Sequence, residues 1–552
     1  MNNNLRKGSV AVVSLIAMSL LLTICLGLSA LSIQNMNRAG RDTTTNLALQ
    51  AAQAGLELQV SRCFGSMGLN AGIFLEEEAD LSTDLNGITN GVDATAWVTP
   101  FDEGRQAWVT CTATVRTMTR SVRTRVTSRN IGIWNNAVFA GAGAAGQAIN
   151  GNVDIRGSMH LLGEGEEYSD LNGNGQWDPA EGFTDRNNNG VWDPGEPYTD
   201  VNGDGVWSSG EPYNDSNRNG SYDEPFTASD LNSTFSGNAY VGNNYANMPS
   251  DLEALVPSLT RYEGVESLQA EFRVKHGRIS LSGTATLGTD SIVDGGTSKS
   301  TLDGVYCSDG FTGSRGASAV FSDNGTSNGY DLDGYGIEFP LITGIGSLPY
   351  IDRQGTTWNS YTEFYNARTL TVPVTTITSA TPAFSYGPDA YGNSISFTPQ
   401  TSTAPATMVV TGVCKFAGDL QIGAKDTIRY RGQGTIYSAG TIRIDGNLLP
   451  LDGEVFPTTT RLGVVARNDL MLATGPGSSQ LKMAGAFYAQ DTIVSRKQNQ
   501  IAGTFVGSYF DMGTNVPNIY QVPSLPQNMP PAMPGDNSIF AVRMRSWRER
   551  HE

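Results

Sequence analysis

Four copies of one fifteen-residue phrase run between Tyr168 and Glu224, and only three residues separate the last ligand position of one copy from the first of the next. Such gaps hold no helix of ~10 residues. Pro197 and Pro212 stand in two of them, where either would break one. The block must therefore fold as turns. Its copies open at Tyr168-Ser-Asp170, Phe183-Thr-Asp185, Tyr198-Thr-Asp200 and Tyr213-Asn-Asp215. The first sets Asp170, Asn172, Asn174, Gln176, Asp178 and Glu181 at positions 1, 3, 5, 7, 9 and 12 of a loop, with Gly175 at position 6. The second sets Asp185, Asn187, Asn189, Val191, Asp193 and Glu196 there, and the third Asp200, Asn202, Asp204, Val206, Ser208 and Glu211. The fourth keeps Asp215, Asn217, Asn219, Ser221 and Asp223 but carries Phe226 at position 12. Alternate side-chain oxygens, a backbone carbonyl at position 7, glycine at the sharp turn and a closing carboxylate are the grammar of a calcium loop. Ca²⁺ is the expected ligand, because it takes about six to eight oxygens in a forgiving geometry.

Without flanking helices, the loops are expected to stack, with Trp177, Trp192, Trp207 and Tyr222 packing at one fixed position of each turn. In that respect the block resembles other helix-free calcium repeats such as thrombospondin type 3 repeats. A flexible acidic linker is the competing reading, and four matches at constant period argue against it. Residues 164 to 224 hold 15 Asp or Glu against two Arg, in a chain of net charge −18. Acidity is thus concentrated in one segment, where divalent cations would neutralise it. The chain lacks the basic patch that phosphate binding needs, so nucleic acid is not an expected partner.

At the N terminus no residue from Gly8 to Met36 is charged, and Ser9 to Ile33 is mostly apolar. Those 25 residues reach ~37 Å as a helix, enough for a hydrocarbon core of about 30 Å. Arg6 and Lys7 precede the stretch, which favours a cytoplasmic N terminus with the bulk outside. A cleaved secretory signal ending near Gly27-Leu28-Ser29 is one reading. The other is a retained helix. Leu49, Ala52, Leu56 and Val60 recur at helical spacing, and no Pro interrupts Ser9 to Arg62, which favours a helix continued past the membrane.

Arg6-Lys7-Gly8 ahead of this helix, with Leu49-Gln50-Ala51-Ala52-Gln53-Ala54-Gly55-Leu56-Glu57 further on, is similar to type IV pilus minor pilins of the PilX type and to secretion pseudopilins. The resemblance implies a leader of residues 1–8, cleavage between Gly8 and Ser9 and methylation of the new N terminus. It also implies other pilins or pseudopilins as partners, residence in the bacterial inner membrane before assembly, and then a place at the cell surface or in a pilus. Val13 and Gln53 stand where Glu is common in the family.

After the helix, 9–62, residues 63–129 read as a small α+β head with strands at Ala94–Thr99, Ala107–Val115 and Thr117–Ser128. Cys63, Cys111, Cys307 and Cys414 lie outside the membrane span. An even number in an exported chain suggests two disulfides, and Cys63–Cys111 with Cys307–Cys414 is the preferred one of three pairings. From 130 to 521 short β runs alternate with Gly and Asn. Ile442 to Leu470 spans 28 residues and Leu470 to Ile493 spans 23, lengths that suit one rung of a parallel β-solenoid. Stacked rungs would bury Ile442, Ile444, Leu470, Leu472 and Ile493 in one column. This region resembles the β-solenoids behind pilin-like anchors and bactofilin-like sheets, and a Greek-key sandwich is its rival. The loop block, 164–228, then reads as an insertion at a solenoid turn. Residues 522–552 form a Pro-rich strap and a final strand. The expected class is mainly β, with a long N-terminal helix.

Chemistry-bearing motifs are few. The three His are His160, His276 and His551, too scattered for a zinc site. There is no nucleophile elbow, phosphate loop or dinucleotide fingerprint. A calcium-dependent β-helix polysaccharide lyase would need a basic residue such as Lys425 or Arg429. A surface structural or adhesive protein, with a surface or polysaccharide as its ligand, is the favoured reading, and a membrane-anchored scaffold outside any filament is the alternative.

Overall fold

The computed structural model describes residues 4–66, 72–87, 90–101, 104–144, 149–163, 169, 171, 177–186, 192–200, 205–213, 232–262, 264–290, 296–326, 328–343, 350–352, 354–476, 479–512, 517–536 and 539–550. Two compact units divide the chain, Met1–Ile131 with Ser538–Glu552, and Gly132–Asn537.

In the first unit one helix, α1 (Asn4–Ser66), runs without a break. From Val12 to Thr43 every side chain is exposed, and among the described residues this is the helix long and apolar enough to cross a membrane. From Thr44 onward one stripe turns inward through Ala48, Ala51, Ala52, Leu56, Gln59 and Cys63. Steps of three and four residues put these on one face. Leu49 and Val60, expected on that face, lie at its margin and are half-buried.

The stripe packs on an antiparallel sheet of β1 (Glu77–Asp80), β2 (Val92–Phe101), β3 (Gln106–Val115), β4 (Met118–Asn130) and a C-terminal strand, Phe540–Arg550, in that order. The alternation of buried and open residues along β3 is the pattern of a sheet with one covered face. Gly55 is required by close approach. A Cβ there would lie 2.6 Å from the Cys111 Sγ, so α1 can sit tightly on β3 only with a bare backbone at that turn.

The second unit is a parallel β-solenoid with three columns of strands, as the rung lengths imply. Ile442 pairs with Leu470 and Ile444 with Leu472. Leu470 then pairs with Ile493. All five are fully buried, forming the anticipated inner column. Parallel pairing throughout these rungs rules out the Greek-key sandwich. Burying each such aliphatic side chain contributes about 1.5–3 kcal/mol.

The stacking order differs from the chain order. Strand Gln500–Asp511 lies parallel to Val138–Ala144, with Phe505 opposite Val138, and Asn518–Tyr520 pairs with Ile149–Arg156. The last rungs of the chain therefore stack on its first ones. From there the rungs continue through Met159–Leu161, Glu271–Val274 and Gly304–Cys307. Leu370–Val372, stacked on Ala406–Phe416, closes the opposite run. The Pro-rich stretch after Val522 lies against the solenoid. Thr435 Oγ1 donates to the Pro531 carbonyl at 2.5 Å, Tyr365 Oη to that of Ala532 at 2.6 Å, and Trp134 Nε1 to that of Pro534 at 2.8 Å.

The disulfide expectation is corrected. Cys63, Cys111, Cys307 and Cys414 are all free and buried. Cys307 donates to the Gly277 and Gly310 carbonyls. Cys414 lies on a strand flanked by Leu370 and Ile436, apart from the strands that flank Cys307. Each thiol serves as a small apolar core group. Burial pushes the thiol of Cys63 up to about 11 and that of Cys111 up to about 12.

Candidate metal centre

The loop block leaves the solenoid after Met159–Leu161 and returns at Asn232–Gly242. Of the expected ligands, Asp170, Asn172, Asn174, Gln176, Asn187, Asn189, Val191, Asn202, Asp204, Asp215, Asn217, Asn219, Ser221 and Asp223 lie outside the described residues. Asp178, Glu181, Asp185, Asp193, Glu196, Asp200, Val206, Ser208 and Glu211 lie within them. No group of three or more His, Cys, Asp or Glu comes together as a metal cluster among the described residues. Asn and backbone carbonyls supply much of a calcium loop's oxygen, and most of these positions are among those not described.

What is described is how each loop is closed. In the third copy Gly205 has φ +74°, and its N–H donates to Asp200 Oδ2 at 2.9 Å. That bond ties position 6 back to position 1 across the sharp turn, and a left-handed φ suits glycine alone without strain. Val206, 65 % exposed, can offer a cation only its carbonyl.

Closure comes from the tripeptides Glu181-Gly-Phe183, Glu196-Pro-Tyr198 and Glu211-Pro-Tyr213. The second closes on its own loop. Glu196 accepts from the Arg186 N–H at 2.7 Å and the Asp193 N–H at 3.0 Å. Its carbonyl accepts from Trp192 Nε1 at 3.1 Å, and its own N–H donates to the Asp193 carbonyl at 2.9 Å. The first and third copies cross over. Glu211 accepts from the Leu171 N–H at 2.6 Å and the Asp178 N–H at 3.2 Å, and its carbonyl accepts from Trp177 Nε1 at 2.8 Å. Glu181 accepts from the Ser208 N–H at 3.2 Å, and its carbonyl from Trp207 Nε1 at 2.9 Å. The backbone is reciprocal as well, Glu181 N–H to Ser208 O at 3.0 Å and Glu211 N–H to Asp178 O at 2.9 Å.

The aromatic residues follow the same exchange. Trp177 meets Tyr213 edge-on at 5.6 Å, Phe183 meets Trp207 at 5.8 Å, and Trp192 meets Tyr198 at 6.0 Å. Trp192 and Trp207 stack at 5.2 Å. Of the position-8 aromatics, Trp192 and Trp207 thus pack on each other while Trp177 packs on Tyr213, and Tyr222 lies outside the described residues. Spacing within one copy did not reveal the exchange. The available signal was the residue at position 11: Gly195 follows Pro194, whereas Ala180 follows Pro179.

Other residues singled out in the sequence have plain partners. Arg273 pairs with Asp331 at 2.7 Å and also with Glu271. Arg429 pairs with Asp452 at 3.0 Å and donates to the Pro450 carbonyl. Lys425 sits at φ +67° in a turn. His160 is buried and shares a 3.0 Å hydrogen bond with the Tyr330 hydroxyl. Gly8 and Ser9, the expected processing junction, fall inside the continuous α1.

No family model matches this chain, and no curated protein matches it. Among solved structures it is similar to the competence-associated pilin ComZ from Thermus thermophilus, at a TM-score of 0.48 and 16% identity, over 92% of this chain and 98% of that one.

Proposed function

We propose that this chain is a pilus-associated, minor-pilin-like surface protein whose inserted loop block is held in shape by Ca²⁺. The observation that carries the reading is α1 itself. Its first half is exposed from Val12 to Thr43 and mostly apolar as far as Ile33, a surface that water does not tolerate in an isolated helix and that a bilayer or a bundle of like helices would cover. Its second half forms the spine of the head. With Arg6 and Lys7 ahead of its apolar stretch, the helix would orient the bulk of the chain outward. Cut between Gly8 and Ser9, it would pack among other pilins or pseudopilins after residence in the inner membrane. The solenoid and its loops would then face outward, available to a surface or polysaccharide. Four loops of one oxygen grammar support Ca²⁺ as the stabilising ion.

Mass spectrometry of the protein from its native membrane tests the assembly reading. An N-methylated Ser9 is the expected N terminus. An intact Met1 would replace the filament by a plain membrane-anchored scaffold.

A further inference from the structure

Asp193-Pro194-Gly195-Glu196 is a tight turn, in which the Glu196 N–H returns to the Asp193 carbonyl at 2.9 Å. Proline at its second position and glycine with φ +105° at its third meet the demand of such a turn for a positive φ. This turn brings Glu196 back onto its own loop. The first copy has Ala180 where the second has Gly195, and alanine resists a positive φ. Ala180 has no positive φ, and Glu181 lies against the third loop at Ser208 and Trp207. The third copy reciprocates through Gly210, at φ +77°, where a Cβ would lie 2.5 Å from the Ala180 N. The two chains cross only because that side chain is missing.

Glu196 and Glu211 are 8 % and 6 % exposed, and no Lys or Arg side chain among the described residues pairs with either. Arg186 reaches Glu196 through its backbone N–H, its own side chain being exposed. An ionised carboxylate buried without a counter-charge costs several kcal/mol. Each of the two accepts one N–H on each oxygen. A carboxylate has about four acceptor sites, so one lone pair on each oxygen is left, the set that a calcium ion takes from a bidentate ligand.

We propose that Glu211 completes the calcium site of the first loop and Glu181 that of the third, while Glu196 closes the second loop on itself. Loops one and three then form a mutually closed pair separated in sequence by a self-contained loop, and filling one favours filling the other. This rests on the calcium reading above, and its test separates the two. Tb³⁺ replaces Ca²⁺ and emits when a nearby indole passes it energy, so each loop tryptophan reports its own site.

The full-length, chelator-stripped chain is titrated with Tb³⁺ in a W192F/W207F background, which leaves Trp177 to report on the first loop. Glu211→Gln is expected to weaken the Trp177-sensitised site by about tenfold or more, and Glu181→Gln to weaken it less. In the reciprocal W177F/W192F background, Trp207 should lose its signal to Glu181→Gln instead. Far-UV circular dichroism without metal identifies any variant that fails to fold, and the reciprocal background keeps the question open to test in that case. If Glu181→Gln proves the more damaging to the Trp177 site, or if the two variants weaken it equally, the exchange is overturned. If no loop tryptophan sensitises Tb³⁺ in the unsubstituted chain, the calcium reading falls and the exchange falls with it.

Discussion

The solenoid rungs and the loop block are held together by opposite means within one unit. In the rungs, apolar side chains of successive turns stack on one another, as Ile442, Leu470 and Ile493 do, and water supplies the driving force. In the loops, three tryptophans and three buried glutamates are held in a frame of N–H bonds around carboxylates. The loops instead bury the carboxyl groups of Glu181, Glu196 and Glu211, which the proposed Ca²⁺ would balance. One region should therefore respond to core truncation and the other to chelation.

The largest expected effect is on the loops. In excess EGTA, proteolytic cleavage between residues 164 and 228 should rise by about tenfold or more, because opening becomes local and frequent. The rungs should stay intact on the same gel. Equal cleavage with and without Ca²⁺ would erase the contrast between the two regions.

Leu470→Ala tests the other side. It removes a fully buried side chain between two rungs and should cost about 2–5 kcal/mol in urea unfolding of the solenoid, with Tb³⁺ affinity of the loops unchanged.

A pH dependence sharpens the contrast further. His160 is held neutral in the rungs, its pKa pushed well below 6.5 first by burial and then by Arg273 and Lys275. The unfolded chain binds a proton that the folded chain refuses. This contribution to stability is complete above pH 6.5 and is lost as pH falls below it, by up to about 1.4 kcal/mol per pH unit. His160→Asn should flatten that part of the stability curve between neutral pH and pH 5.

Gly210→Ala should loosen the crossing of loops one and three and cost about 1–3 kcal/mol of local stability, seen as a higher Ca²⁺ requirement for protection from protease. The smallest effect belongs to the head. Gln59 is fully buried, and neither end of its amide has a hydrogen-bond partner among the described residues. Gln59→Met should raise the head's stability by about 1–2 kcal/mol.

Much of this molecule can be read from neighbouring residues. The loop grammar, the apolar helix and the alternating strands of the head are local patterns. The pairing of Ile442 with Leu470 follows from a repeat length. Expectations that needed distant information fared differently. Counting cysteines suggested two bridges, but a count carries no geometry, and all four are free. Glu181 was matched to its own copy by spacing, while the structure brings it to Ser208. The sole local hint was alanine in place of glycine after a proline.

Periodic hydrophobicity and ligand spacing thus settled what kinds of element this chain forms, since each depends on contacts within a few residues or one rung. Which rung lies beside which, with Phe505 opposite Val138, and which glutamate closes which loop were decided only when the chain was folded. Both are choices among partners of nearly equal local chemistry, and they are resolved by steric fit between segments far apart in sequence: a turn that alanine resists and a crossing that only glycine admits.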